Sequence, residues 1–279
     1  MNRMKRHVIE LVRDVVNKYA STTIPTFDEI YSGLGLDVKV GELPSGTDGA
    51  QKDKTIIINS QIKNEERKRF TQFHEVTHYL IEKDGDLISE LHDYTINQEH
   101  GYKKPLETLC NIGAAEFLMP SKEFTKLYNK RGFNVQLIPF AANYFKSSII
   151  AAAIQLAQVA PNRCIAVICE KGLIPNDKAS SKVSFSTTEN QSHNKPKLHV
   201  VYSASSPSTN RWLTKYTVFP DGHLVNQAYS QSKMLEGECE IPFPSWKERC
   251  PCETLYNRNR VYALFHLTPP PSLDQLTLF

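Results

Sequence analysis

The chain reads as an α+β protein: a helical N-terminal domain carrying a small antiparallel sheet, followed by a mixed α+β C-terminal domain. Three observations predict this. Apolar residues recur at helical spacing in several segments before Pro161, two short β-rich runs stand among them, and after Pro161 the pattern turns to short strands separated by turn signals. At 279 residues the chain is longer than one core usually organises. We therefore expect domains at 1–125 and 163–279, joined by a helical connector at 126–162.

The first element resembles an export signal only superficially. Basic residues lead an apolar stretch, but Glu10, Arg13 and Asp14 break it, whereas Val8, Leu11, Val12, Val15 and Tyr19 share a helical face. This is an amphipathic helix. Two strands follow, Leu36 to Val40 by alternation and Thr55 to Ile58 by β-branching, with Gly46, Gly49 and polar residues between them. We expect Thr55 to Asn59 to form a sheet edge along which a partner chain could lie extended.

Asn64 to Glu82 reads as the next helix. Asn64 is its N-cap, Glu65 and Glu66 occupy the first turn, Phe70, Phe73, Thr77, Leu80 and Ile81 form its apolar stripe, and Gly85 is the expected stop. Within it lies His74-Glu75-Val76-Thr77-His78. Residues four apart stand on one helical face, so both imidazoles can reach one cation, while Glu75, rotated by about 100°, can face a water that the cation activates. That is the zinc peptidase reading of the motif, with Glu75 as base.

A third ligand must come from elsewhere. Asp84 lies ten residues after His74, but the turn that brings such a residue back needs a Gly where this chain has Ile81. The helix from Glu107 to Leu118, ending at Pro120, offers Glu107. Cys110, Asn111, Ala114 and Leu118 fall within about 60° of it, a small and largely apolar face on which a carboxylate calls for a metal or an ion pair. Glu116 points the other way. Residues 86 to 106 read as a loop containing His92, Tyr94 and His100, each a possible donor to a developing oxyanion.

The segment Arg69 to His78, with Glu107 to Asn111 and Ala114 to Pro120, resembles the ImmA/IrrE family of zinc metallopeptidases, and the similarity runs on through Leu137 to Leu156. The resemblance implies His74, His78 and Glu107 as zinc ligands and Glu75 as catalytic base. Mn2+ or another divalent cation is the alternative metal in the cell. It also implies a protein substrate, a helix-turn-helix transcriptional repressor, cut to release stress-response or mobile-element genes. Val76-Thr77 replaces the apolar-Gly pair common inside the motif, and Gln155 stands where many relatives carry Arg. The competing function is a non-catalytic regulator that binds a transcription factor through the same fold; it has no use for Glu75.

From Val135 to Val159 two helical segments flank Phe145 to Ser148, a layout like a helix-turn-helix. The second segment, Ile149 to Ala157, offers one amide and no charge, so we expect it to pack on the catalytic domain and not to read DNA. Lys plus Arg is 33 against 30 for Asp plus Glu, and a net charge of +3 carries no nucleic-acid footprint. No run reaches the ~18 apolar residues of a membrane span. The six cysteines lack a Cys-x-x-Cys pair, which fits reduced thiols and a cytoplasmic location. Cys250-Pro251-Cys252, with Cys239 nearby, is a further redox or metal candidate.

In the C-terminal domain, Cys164 to Cys169, Leu198 to Ser203, Tyr216 to Phe219 and Val261 to Leu267 read as strands, with turns at Lys171-Gly172 and Pro220-Asp221-Gly222. An exposed loop is expected at 175–196 and a stiff arm at Pro269 to Pro271. By resemblance this domain is GAF-like.

Overall fold

The computed structural model describes residues 1–96, 101–175, 195–209, 211–243 and 247–267. The chain forms two compact units, 1–124 with 141–148, and 125–140 with 149–279. Most of the loop expected at 175–196, and the Pro269 to Pro271 arm, lie outside the described residues.

The first unit begins with α1 (Asn2–Tyr19), whose Met4, Val8 and Val12 are buried as the amphipathic pattern requires. The short α2 (Phe27–Leu34) starts in a reciprocal capping box between Thr26 and Glu29 and stops at Gly35 in the left-handed region. Three strands follow, β1 (Asp37–Gly41), β2 (Gly49–Lys52) and β3 (Thr55–Asn59), in the order β1-β3-β2. Two expectations are corrected here. The sheet is mixed, not antiparallel, because β1 runs parallel to β3 while β2 and β3 form a hairpin. Thr55 to Asn59 is therefore the central strand, paired on both sides, and β1 and β2 are the edges. β2 was not predicted because Gly-Ala-Gln-Lys has no β propensity and is held by its ladder alone.

The motif helix is α3 (Glu65–Lys83), with the Asn64 side chain accepting the Arg67 N–H at 2.7 Å. Gly85 is not its stop. Asp84 ends α3 and caps α4 (Gly85–Thr95), so part of the expected loop at 86–106 is helical. Then come α5 (Lys103–Leu118) and α6 (Ser121–Arg131). α5 packs between α1 and α3; Phe73 stacks on Phe117 with centroids 4.9 Å apart, and Arg13 of α1 pairs with Glu116 at 2.9 Å. The division between units falls within α6 and α7 (Leu137–Tyr144).

The second unit is built on a five-stranded antiparallel sheet of β4 (Cys164–Gly172), β5 (Lys197–Ser205), β6 (Leu235–Pro242), β7 (Lys247–Asn257) and β8 (Arg260–His266), ordered β5-β4-β8-β7-β6. α8 (Ile149–Val159) packs on β4 and β5, and α9 (Leu224–Gln231) packs on β6, β7 and β8. The apolar face of α8 thus meets this sheet at Cys164 to Ile168, every residue of which is buried.

Three strand readings change. Lys171-Gly172 belongs to β4 and is no turn. Tyr216 to Phe219 is not a strand; Tyr216 has φ 71° and only Val218 makes an isolated bridge, to His199. β6 and β7 escaped notice because glutamates alternate along the first, while the second opens with three charged residues and is interrupted by Pro251. Pro251 is tolerated there because the β7–β8 ladder begins only at Cys252. No single helix among the described residues is long and apolar enough to cross a membrane.

Candidate metal centre

α3 presents His74 and His78 one turn apart, their rings in a T-shaped arrangement and their Nε2 atoms 3.2 Å from each other. α5 brings Glu107 to the same place. One carboxylate oxygen lies 3.2 Å from His74 Nε2 and the other 3.7 Å from His78 Nε2. The close approach of the two helices depends on Gly113, where a β-carbon would come 2.4 Å from Thr77 Cγ2. The bulk of Thr77, inside a motif that commonly has Gly at this place, is thus accommodated by a missing side chain on the facing helix. Thr77 is fully buried and donates its hydroxyl to the Phe73 carbonyl at 2.8 Å.

These donors fit a tetrahedral ion. Ligand atoms about 2.0–2.1 Å from zinc stand about 3.3–3.4 Å apart, and the fourth corner stays open in a catalytic site. The two imidazole nitrogens stand 3.2 Å apart, and each has a different Glu107 oxygen at 3.2 or 3.7 Å, separations in the range such an ion's ligands keep. Burial lowers the pKa of both histidines, most strongly opposed at His74 by the Glu107 charge, so each tends to remain neutral with a lone pair to give. His74 Nδ1 is buried without a hydrogen bond of good geometry, although the Asn111 side chain is near enough to the ring to favour its protonated form.

Glu75 sits beside this set, 7% exposed. Burial, and then the Glu107 charge, raise its pKa to about 7. That value suits a group that takes and returns a proton near neutrality. Its carboxylate packs against the edge strand: a β-carbon at Gly49 would lie 2.7 Å from Glu75 Oε1. Only glycine lets β2 come this close. Arg69, five residues before His74 on α3, donates to the carbonyls of Phe145 and Lys146 at 3.2 and 2.7 Å, tying α3 to the end of α7.

The other predicted positions fall as follows. Asp84 is engaged elsewhere, accepting the Leu87 N–H at 2.8 Å and pairing with His7 at 2.9 Å. Glu116 is buried against Arg13 and Ser121. His92 and Tyr94 are on α4, the former largely exposed beside Asp93, and His100 lies outside the described residues. Glu107 is less enclosed than its small-residue face implied, with 42% of its side chain exposed.

Sequence reasoning passed over Cys110 as a ligand. Its sulfur and a nitrogen from each histidine lie within 4.8 Å of one another, an alternative triad to the one with Glu107. The Glu107 oxygens stand 3.2 and 3.7 Å from the imidazole nitrogens, whereas burial, with the Glu107 and Glu75 charges, drives the Cys110 thiol well above its usual range. Its position one turn after Glu107 was the available signal.

A family model described as the IrrE N-terminal-like domain matches residues 35–157. The radiation response metalloprotease IrrE of Deinococcus deserti is 30% identical over 239 residues, covering 84% of this chain and 79% of the relative. The chain belongs to the ImmA/IrrE family of metallopeptidases. A second ImmA/IrrE member, the radiation response metalloprotease IrrE of Deinococcus radiodurans, is 28% identical over 265 residues, covering 92% of this chain and 77% of the relative. The likeness extends in fold alone to a solved structure named as a Mycobacterium tuberculosis transcriptional regulator, with a TM-score of 0.56 and 12% identity over 95% of this chain and 77% of that one.

Proposed function

We propose that this chain is a zinc-dependent endopeptidase in which His74, His78 and Glu107 hold the metal and Glu75 is the catalytic base. Its substrate is a helix-turn-helix transcriptional repressor in the cytoplasm, and cleavage releases stress-response or mobile-element genes. The observation that carries the reading is the convergence of two imidazole nitrogens 3.2 Å apart with the Glu107 carboxylate, whose oxygens stand 3.2 and 3.7 Å from them, beside the buried carboxylate of Glu75. The repressor as substrate rests on family membership.

Zinc, when bound, supplies Lewis acidity that polarises a peptide carbonyl and makes water easier to deprotonate; Mn2+ is the alternative for the same nitrogen and oxygen donors. Glu75 takes the proton of the attacking water and returns it to the departing amine. The carboxylate can do both because its pKa lies near 7. For the substrate track, support comes from β2. Among the described residues it is a sheet edge, paired to a strand on one side only, and Gly49 lets it run against Glu75, so an extended peptide paired to β2 would pass the base. In the C-terminal domain, at 163–279, the five-stranded antiparallel sheet with helices packed on it supports a GAF-like regulatory role.

The test is cleavage of a co-encoded repressor by the purified protein, with and without chelator, beside Glu75→Gln. Metal-dependent cleavage that falls by at least about a thousandfold in the variant, with zinc content unchanged, is expected. Equal cleavage by Glu75→Gln, or none by the metal-loaded protein, rejects the assignment.

A further inference from the structure

The second unit contains a cluster of thiols that the peptidase reading does not use. Cys239 on β6 is the direct cross-strand partner of Cys250 on β7, and Cys252 follows on the same face. Opposed residues in an antiparallel pair have Cα atoms about 4.5–5.5 Å apart, inside the roughly 4.4–6.8 Å that a disulfide spans; a diagonal pair such as Cys239 and Cys252 stands about 7–8 Å apart and is not bridged without backbone movement. The Cys252 thiol, which also stands 3.7 Å from the Glu253 carbonyl, lies near enough to the Cys239 sulfur to turn its hydrogen toward it, and the His223 imidazole lies beside the same sulfur with Nδ1 accepting the Val225 N–H and Nε2 on the Glu240 carbonyl.

We propose that Cys239 and Cys250 form a hydroperoxide-sensitive disulfide site, in which Cys252 is the hydrogen-bond donor that activates the Cys239 sulfur. All three thiols are free and buried, but the site is not sealed. β6 is the edge of its sheet, and Gly237, opposite Cys252, is exposed, with nothing within 4 Å of where its β-carbon would be. A cleft of about 270 Å³ reaches the same stretch, lined among others by Gly237, Pro251 and Cys252. The cleft opens on Cys252, and Gly237 and Glu238 beside it lead to Cys239, the route a small oxidant would take. The electrostatics single out one sulfur: the Cys252 hydrogen bond, with His223, brings the Cys239 pKa down to about 6 against the effect of burial. Burial instead drives Cys250 and Cys164 up to about 12.

The Cys239 thiolate attacks the distal oxygen of the hydroperoxide. The O–O bond breaks as the S–O bond forms, and the departing oxygen takes a proton and leaves as alcohol or water. The Cys250 sulfur then attacks the sulfenyl sulfur of Cys239; the S–S bond forms, the S–O bond breaks, and the hydroxyl leaves with the Cys250 proton as water. The two thiols lose two electrons and the hydroperoxide gains both.

The test is thiol mapping by mass spectrometry on the zinc-loaded full chain after stoichiometric hydrogen peroxide. A peptide linking Cys239 to Cys250, reversed by dithiothreitol, is expected. In Cys250→Ser, Cys239 should accumulate as a sulfenic acid trapped by dimedone, and Cys252→Ala should slow oxidation by about tenfold or more while Cys252→Ser keeps part of the rate. In the unmutated chain at neutral pH, iodoacetamide should label Cys239 at least about tenfold faster than Cys164 or Cys250. Six unchanged thiols after peroxide, a disulfide between Cys239 and Cys252, or equal oxidation of Cys252→Ala and the unmutated chain would overturn the proposal.

Discussion

Each unit of this chain holds a histidine–glutamate contact, and the two differ in what else the carboxylate touches. In the second unit Glu253 meets His266 Nε2 at 2.9 Å with one oxygen and accepts the Val135 N–H at 2.8 Å with the other. His266 is buried and Phe133 closes its ring edge-on, with centroids 5.6 Å apart. In the first unit Glu107 meets two imidazoles, and its side chain is 42% exposed. Both imidazoles are driven toward the neutral form, so lone pairs and a carboxylate face one another at the point where the three converge. Such an arrangement is unfavourable until a cation or a proton fills it. A donor on each oxygen makes the Glu253 contact a strut, and the convergent lone pairs at Glu107 are what the proposed ligand set requires.

The sharpest way to break this comparison is to remove each carboxylate. Glu107→Ala should weaken zinc binding by at least about a hundredfold and abolish cleavage, since loss of a ligand exceeds the loss of an outer-shell partner. Glu253→Ala should leave zinc content unchanged but strand buried donors at a cost of about 2–4 kcal/mol, a fall of roughly 5–10 °C in the midpoint of the second unit. Metal titration and calorimetry on both variants check this, and Cys110→Ala should retain zinc. If Cys110→Ala loses the metal and Glu107→Ala keeps it, the thiol is the ligand.

A second effect belongs to the first unit alone. The folded chain raises the Glu75 pKa from 4.5 to about 7, so the metal-free folded state holds this proton more tightly than the unfolded state. Stability is therefore greatest below pH 4.5 as far as this group is concerned, and declines as pH rises through 7. The loss amounts to at most roughly 3 kcal/mol. Urea unfolding of metal-free protein between pH 5 and 8 should show this slope, and Glu75→Gln should flatten it.

The smallest expected effect tests the helix contact that carries Glu107. Gly113→Ala places a methyl against Thr77 and should cost about 1–3 kcal/mol, with weaker zinc binding as α5 is pushed from α3. Adding Thr77→Gly should recover much of that loss, because the two residues share one space. Additive effects in the double-mutant cycle would show that the contact is not direct.

Much of the candidate site was legible because helices are local structures. The Asn64 cap, the one-turn spacing of His74 and His78 and the placing of Glu107 on the small face of α5 all follow from hydrogen bonds and periodicity within a few residues. The same local logic located α1 and three of the five C-terminal strands. It missed α2 although Thr26 and Glu29 spell a capping box, and it missed α4 because Asp84 serves two helices at once.

What the chain order could not decide is which distant segments meet. β3 became the central strand because two ladders, one parallel and one antiparallel, both use residues 55–59, and nothing in those residues states that both sides are paired. Gly49 against Glu75, Gly113 against Thr77, Cys110 beside the histidines and Cys239 opposite Cys250 are likewise contacts between elements. The sequence by itself picked out the proposed donors of the metal centre and their helices, since capping and a 3.6-residue turn act along the chain. The tertiary structure alone decided the edge strand beside the base and the register of the thiols, because strand order and register are set by packing between residues far apart in sequence.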